Sequence, residues 1–334
     1  MHVILTACRH RGVIGFGARP GFGAAGVLIG LVSVASSCGP ESASEVAPTP
    51  SADTAAPGIE SLMPDATPEA IGAHLDWAEA HRVQTDALSR HFPEMTWEQA
   101  YEVQKLRFAT RQNADPVAGW KIGWSAQWDP AVPVRPAFGP VAGSLVFSPD
   151  EPLDAGRFVN ASPGVEAEVV FWLAEDLPPS PDGPLKREDI AAAVRGVAAA
   201  IDFVNPRVGP HGADGPDTRA HGVADNVYAA GVVLPSATVP IDSVDWSRVT
   251  GRLTIDGEVR GEAKATVIMG RDPLEALVWL ANEMHTYGHR LQAGQFVVTG
   301  TVLTPVGATS GDTATVSFTE LGEVSISFTD GATE

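Results

Sequence analysis

The sequence predicts an α+β domain dominated by mixed β structure, and three observations carry that expectation. Short apolar runs bounded by Gly or Pro recur from residue 116 onward, amphipathic helical segments precede them, and neither a P-loop nor a dinucleotide fingerprint follows any of the strands. At 334 residues the chain has room for one large domain or two ordinary ones, with a sizeable core in either case. The balance of 22 Lys+Arg against 41 Asp+Glu, a net charge of −19, repels nucleic acid and anionic lipid surfaces. Nucleic-acid binding is set aside on that ground.

Residues 1–38 read as a secretory signal. They contain Arg9, Arg11 and Arg19 and no acid, and AAGVLIGLVSVASSC brings an apolar run up to Cys38. That run is about a dozen residues, short of the roughly 20 that span a bilayer. Ala35-Ser36-Ser37-Cys38 followed by Gly39 resembles a bacterial lipobox, with Ala35 where Leu is usual, so Cys38 is expected to be lipidated and to give the only membrane contact. The expected location is the cell envelope as a lipoprotein, or the periplasm or exterior; a start further along the chain would leave a cytoplasmic protein. The other cysteine, Cys8, lies inside the signal, so the mature chain forms no internal disulfide and has no thiol for catalysis or a zinc cluster. GFGARPGFG is glycine-rich but has no strand before it and carries no phosphate-binding expectation.

Residues 39–65 are rich in Pro, Ala, Ser and acids and read as a tether that cannot repay the entropy of folding. Residues 66–115 read as a helical segment: Ile71, Leu75 and Ala78 recur near helical spacing, and Thr96 caps a second helix that buries Ala100, Val103 and Leu106. From 116 to 331, GWKIGW, GSLVF and VEAEVVFWLA are strand-like, and REDIAAAVRGVAAA reads as a helix leading into AIDFVNPRV. Asp256-Gly257 between alternating runs signals a hairpin, DPLEALVWLANEMHTYG a helix, and QFVVTG, TATVSF and EVSISF the last strands.

VEAEVVFW is the informative stretch. Alternation puts Glu166 and Glu168 on one face of a strand whose other face is apolar. Two carboxylates about 7 Å apart suit a hard divalent ion, with Asp202 in AIDFV as a third acid on a second buried strand. The bland alternative is that these acids face solvent or pair with arginines. Lys121 in GWKIGW either snorkels to the surface or faces a pocket as an anion-binding or proton-carrying group. His211, His221, His285 and His289 share no metal-ligand spacing and read as surface or core residues.

The order of GWKIG, PAFGPVAGSLVF, VEAEVVFWLAEDLP, AIDFVNPRV, VADN and GQFVVTG resembles the 2-keto-4-pentenoate hydratase branch of the fumarylacetoacetate hydrolase superfamily, from Thr96 to Phe328. The resemblance implies a mixed β-sandwich roll, assembled as a homo-oligomer, with 116–331 as the catalytic domain. It implies Mg²⁺ or Mn²⁺ held by Glu166, Glu168 and Asp202, and a small 2-oxo acid substrate whose enolate character the metal stabilises. Lys121 inherits a role in proton transfer or carboxylate binding, and Thr299, Thr301 and Arg207 are candidate substrate contacts, Arg207 also a candidate partner for a buried acid. The chain departs from the pattern at Asp202, where the hydratases usually have Glu, and at Ala137, where they have the Asp proposed to partner the lysine. Val227 and Tyr228 replace small or hydroxyl residues, and Asn205-Pro206 replaces an Asp-Ser. A lyase, hydratase or decarboxylase, is the first expectation. Hydrolysis of a C–C bond in an acylpyruvate is the second, and an exported binding lipoprotein without catalysis the third.

Overall fold

The structure is a computed structural model that describes residues 66–127, 135–179, 183–209 and 218–331. The signal, the tether and Cys38 lie outside those residues, as does His211. Among the described residues no helix is long and apolar enough to cross a membrane.

Three helices come first among the described residues: α1 (Pro68–His81), the single turn α2 (Leu88–His91) and α3 (Trp97–Arg111). Thr96 and Gln99 close a reciprocal capping box on α3, which satisfies two of the donors a helix start leaves free. Strands β1 (Val117–Gly123), β2 (Ala137–Ala142), β3 (Val146–Phe147) and β4 (Leu153–Asp154) follow. The long central pair is β5 (Gly164–Leu173) and β6 (Val194–Val204), with α4 (Arg187–Ala192) between them. Next come α5 (Arg219–Ala224), β7 (Ala229–Val233), β8 (Thr250–Ile255), β9 (Glu258–Lys264) and α6 (Pro273–Glu283), then β10 (Phe296–Val298), β11 (Val306–Gly307), β12 (Thr313–Phe318) and β13 (Gly322–Thr329).

These strands form two sheets. The larger is ordered β2-β1-β10-β5-β6-β7-β3, with β11 also on β5, and it is mixed: β1 runs parallel to β10, and β3 to β7. The smaller is ordered β4-β13-β12-β8-β9. Val165, Ala167, Val169 and Phe171 of β5 and Ile201 and Phe203 of β6 point from the large sheet into a core shared with Leu253, Val316 and Ile326 of the small sheet and with Leu75 and Val103 of the helices. This is the α+β, mostly β sandwich that the sequence leads one to expect, and the Asp256-Gly257 turn joins β8 to β9 as expected, with both residues in the left-handed region.

One expectation fails. The helix read over REDIAAAVRGVAAA stops at Ala192, and Val194 already begins β6. The alanines that favour a helix locally are strand residues here because each pairs across β5: Ala198 with Val170, Ala199 with Val169 and Ala200 with Glu168. Ala198 and Ala200 belong to a second buried cluster with Val170, Val232, Phe296 and Val298 on the other face of the large sheet. That face curls, bringing β2 close to β7. Small side chains permit the curl, and the site lies on the same concave face.

Candidate metal centre and its cavity

The register of β5 and β6 sets Glu166 directly opposite Asp202, with Glu168 one step along the same face. Lys121 of β1 pairs in register with Val298 of β10, which pairs with Val170 of β5, so its side chain joins the carboxylates on the concave face. The Lys121 Nζ donates to Asp202 Oδ2 and lies 4.0 Å from Glu166 Oε2. Glu168 and Asp202 are fully buried, Lys121 is 1% exposed and Glu166 9%. One oxygen from each of the three carboxylates lies within 4.8 Å of the others.

Three carboxylates against one ammonium leave the cluster under-neutralised. Burial, then the charge of Asp202, pushes Glu166 up to about 8 against the pull of Lys121. Burial, then Asp202 and Glu166, lifts Glu168 well above the carboxylate range, and burial lifts Asp202 although Lys121 opposes it. Burial works against the charge on Lys121, but Asp202, Glu166 and Glu168 outweigh it and hold the ammonium more firmly than in water. Glu168 Oε1 and Asp202 Oδ1 are buried with no hydrogen-bond partner. Orphaned carboxylate oxygens converging in a charge-deficient pocket are the donor set a hard divalent cation requires, so the residues fit the ion.

Local backbone fixes this geometry. The amide of Gly300 donates to Glu168 Oε2 at 2.7 Å, which orients the carboxylate and leaves its other oxygen free. Gly300 has φ 99°, and a Cβ there would meet Ser125 Oγ at 1.9 Å, so only glycine presents that amide. Ser125 in turn donates to the Thr299 carbonyl at 2.7 Å. Gly123 is equally constrained, since a Cβ would strike Val227 Cγ1 at 2.4 Å. Val227 therefore roofs the strand end where Ala137 pairs with Gly123 on the Lys121 face. Asn226, Val227 and Tyr228 all have positive φ (55°, 53° and 58°), a strained run for a β-branched residue, and it carries Val227 and Tyr228 into the cavity wall.

A cavity of about 470 Å³ opens over the cluster, reaching Lys121 and Glu166. Trp124, Ser125, Val204, Tyr228, Thr301 and Leu303 contribute to its walls. Of the expected substrate contacts, the structure brings Thr301 to this cavity, where its hydroxyl donates to the Leu303 carbonyl at 2.8 Å. Thr299 is fully buried, and its hydroxyl donates to the Val169 carbonyl at 3.1 Å instead of facing the cavity. Arg207 lies outside the cavity lining: its Nε donates to Asp225 Oδ1, its Nη1 to the Ala229 carbonyl at 2.8 Å and its backbone amide to Asp225 Oδ2 at 2.8 Å, so it pairs with a buried acid. Sequence reasoning missed Ser125 and Trp124. A serine two residues past the lysine turn has no pattern of its own, and only the approach of Gly300 marks it.

His221, His285 and His289 each meet other protein groups, not the carboxylate cluster. His221 Nε2 lies 2.7 Å from the Phe92 carbonyl, His285 Nδ1 lies 2.9 Å from the His289 carbonyl, and the His289 ring packs on Trp120.

No protein-family model matches the chain. A 2-keto-4-pentenoate hydratase from Paraburkholderia phymatum is 31% identical over 268 residues, 78% of this chain and 97% of that protein. A 2-oxo-hept-4-ene-1,7-dioate hydratase from Escherichia coli is 29% identical over 270 residues, 77% of this chain and 96% of that protein. Among solved structures, 4-oxalocrotonate decarboxylase from Pseudomonas putida, complexed with magnesium and adipate, superposes with a TM-score of 0.69 at 24% identity, covering 78% of this chain and 97% of its own. A fumarylacetoacetate hydrolase from Exiguobacterium antarcticum shares the fold at a TM-score of 0.50 and 18% identity, over 65% of this chain and 76% of its own. A mixed β-sandwich with a buried acidic triad on its concave face defines the class. The chain belongs to the 2-keto-4-pentenoate hydratase family, and its fold is the one found in a fumarylacetoacetate hydrolase.

Proposed function

We propose that the protein is a divalent-metal-dependent lyase acting on a small 2-oxo acid, as a hydratase or a decarboxylase. The observation that carries this reading is the buried, under-neutralised triad of Glu166, Glu168 and Asp202 with Lys121 against it, at the floor of a cavity. Mg²⁺ or Mn²⁺, held by those three carboxylates, supplies a Lewis acid that stabilises negative charge developing on the 2-oxo acid.

The chain's own groups supply the rest. Gly300 holds Glu168 in place, and Asp202 holds the Lys121 ammonium at the cavity floor. Lys121 is the only cation among the described residues lining the cavity, so its Nζ binds the substrate's carboxylate or moves the proton at the reacting carbon. Ala137 contributes no proton, so the carboxylates beside Lys121 are those of the triad, Asp202 and Glu166. The apolar walls exclude water and strengthen each of these interactions.

A second reading, hydrolysis of a C–C bond in an acylpyruvate, is favoured by Asp202 in place of the usual Glu. The test is turnover by purified protein with Mg²⁺ or Mn²⁺ of 2-hydroxypenta-2,4-dienoate, oxaloacetate and an acylpyruvate, with products identified. Loss of one of the first two on Lys121→Met, with metal affinity retained, supports the lyase. Cleavage of the acylpyruvate alone selects the hydrolase, and no turnover of any sinks both in favour of a non-catalytic binding protein.

Export through residues 1–38 with lipidation at Cys38 is proposed on the sequence alone. Labelling with a palmitate analogue that persists in Cys38→Ser overturns it. Homo-oligomerisation is proposed on the family resemblance, and a monomer in sedimentation equilibrium contradicts it.

A further inference from the structure

We infer that Ser125 is a positioning residue for the metal centre: its hydroxyl locks the peptide between Thr299 and Gly300 in the orientation that aims the Gly300 amide at Glu168, and so sets the affinity for the divalent ion. This rests on the proposed function and deepens it, since it concerns how the proposed metal site is held.

Two hydrogen bonds meet on one peptide unit. Ser125 Oγ donates to the Thr299 carbonyl at 2.7 Å, and the amide of the same unit, that of Gly300, donates to Glu168 Oε2 at 2.7 Å. A trans peptide is planar, with its C=O and N–H pointing opposite ways, so holding the carbonyl fixes where the amide points. The backbone on either side is tied to β5: the Thr299 amide donates to the Val169 carbonyl at 3.1 Å and the Val302 amide to the Ala167 carbonyl at 3.0 Å. Between those ties the chain turns off the ladder. Gly300 has φ 99°, and because glycine takes left- and right-handed backbone about equally well, nothing intrinsic to the unit stops it from flipping.

Topology delivers the lock. Strands β1 and β10 run parallel with Lys121 opposite Val298, so both chains leave the sheet at the same end, and the turn Ser125–Gln127 meets the 299–300 peptide there. Ser125 is 1% exposed, and Thr299 and Glu168 are fully buried, so loss of the hydroxyl leaves a buried carbonyl without that donor and without ready access to water. The consequence reaches the ion because the Gly300 amide takes up one oxygen of Glu168 and leaves Oε1 unpaired within the cluster. Groups that orient a metal ligand from behind are worth about 10–100-fold in affinity.

Mn²⁺ titrated into the full chain without substrate, with the free ion read by electron paramagnetic resonance, tests this on metal affinity and not on turnover. Ser125→Ala is expected to weaken binding by about tenfold or more. Ser125→Cys, close to serine in shape but a weak donor, is expected to weaken it by a smaller factor. Thr299→Val removes another buried hydroxyl bond beside the same peptide, the one to the Val169 carbonyl, and is expected to leave the affinity unchanged. Melting curves establish that each variant is folded at the titration temperature, and if Ser125→Ala is not, Ser125→Cys decides. Parental affinity in the folded Ser125 variants, or an equal loss in Thr299→Val, overturns the inference and leaves the metal site standing. No Mn²⁺ binding by the unaltered protein sinks the site and the inference with it.

Discussion

Among the described residues, a half-buried charge cluster and a buried one are built on opposite principles. In one, Arg107, Arg111 and Arg207 face Asp76, Glu79 and Asp225, three cations to three anions, and they lash α1 and α3 to the strand end after β6. Arg107 Nε donates to Asp76 at 2.6 Å and its Nη2 to Glu79 at 2.8 Å. In the other, one ammonium faces three carboxylates, two of which keep an oxygen with no partner. The carboxylates register the difference. Burial would raise Glu79, but Arg207, Arg107 and Arg111 override it and take it down to about 2, whereas Glu166 is pushed up to about 8. Burial of charge is therefore no mark of function in itself. The mark is an imbalance that the protein leaves for something else to correct.

Variants break this comparison from either side. The largest effect is expected at the deficient cluster. Glu168→Ala should weaken Mg²⁺ or Mn²⁺ binding by about a thousandfold or more in calorimetry, since it removes a ligand whose replacement by water is poor. The same variant, kept metal-free with chelator, should be no less stable to urea than the parent, because an uncompensated buried carboxylate has gone. Arg207→Leu makes the opposite case. It strands Asp225 in the interior and should cost about 3–5 kcal/mol in urea unfolding. Intact stability with a raised KM would instead restore a substrate role for Arg207.

The pH dependence follows from Glu79. Its folded pKa is depressed, so its contribution to stability is fully present above its ordinary 4.5 and is lost as the pH falls toward about 2. The loss amounts to up to about 3 kcal/mol across that window. Glu79→Gln should remove this step from the acid limb of the stability profile, and an unchanged limb contradicts the pairing. The smallest effect is expected from Thr299→Val, about 1 kcal/mol of stability for one buried hydrogen bond to the Val169 carbonyl. KM should not move, because Thr299 does not line the cavity.

Legibility in the sequence followed the range of the interaction. Glu166 and Glu168 were readable because strand alternation is strict and a carboxylate in an apolar strand calls for a partner. Asp202 was readable for the same reason, and their meeting through the β5–β6 register is a tertiary fact that two buried strands made plausible. The Ala-rich start of β6 was not readable, since local propensity favours a helix and only pairing with β5 overrides it. Arg207 was readable as a partner for a buried acid, but not which acid, since Asp225 is 18 residues away; nor was the fate of Thr299, where a β-former and a substrate contact look alike. Ser125 depends on the approach of Gly300, a contact between residues 175 apart that no local pattern encodes.

The central claim is that Glu166, Glu168 and Asp202 are unbalanced because they bind a divalent cation. Anomalous X-ray scattering from a crystal soaked with Mn²⁺ and oxalate tests it most directly. The account predicts one strong peak bonded to an oxygen of each of the three carboxylates, with oxalate completing the shell on the side of the cavity. Full-length protein that gives no peak there, or a peak that omits Asp202, contradicts it.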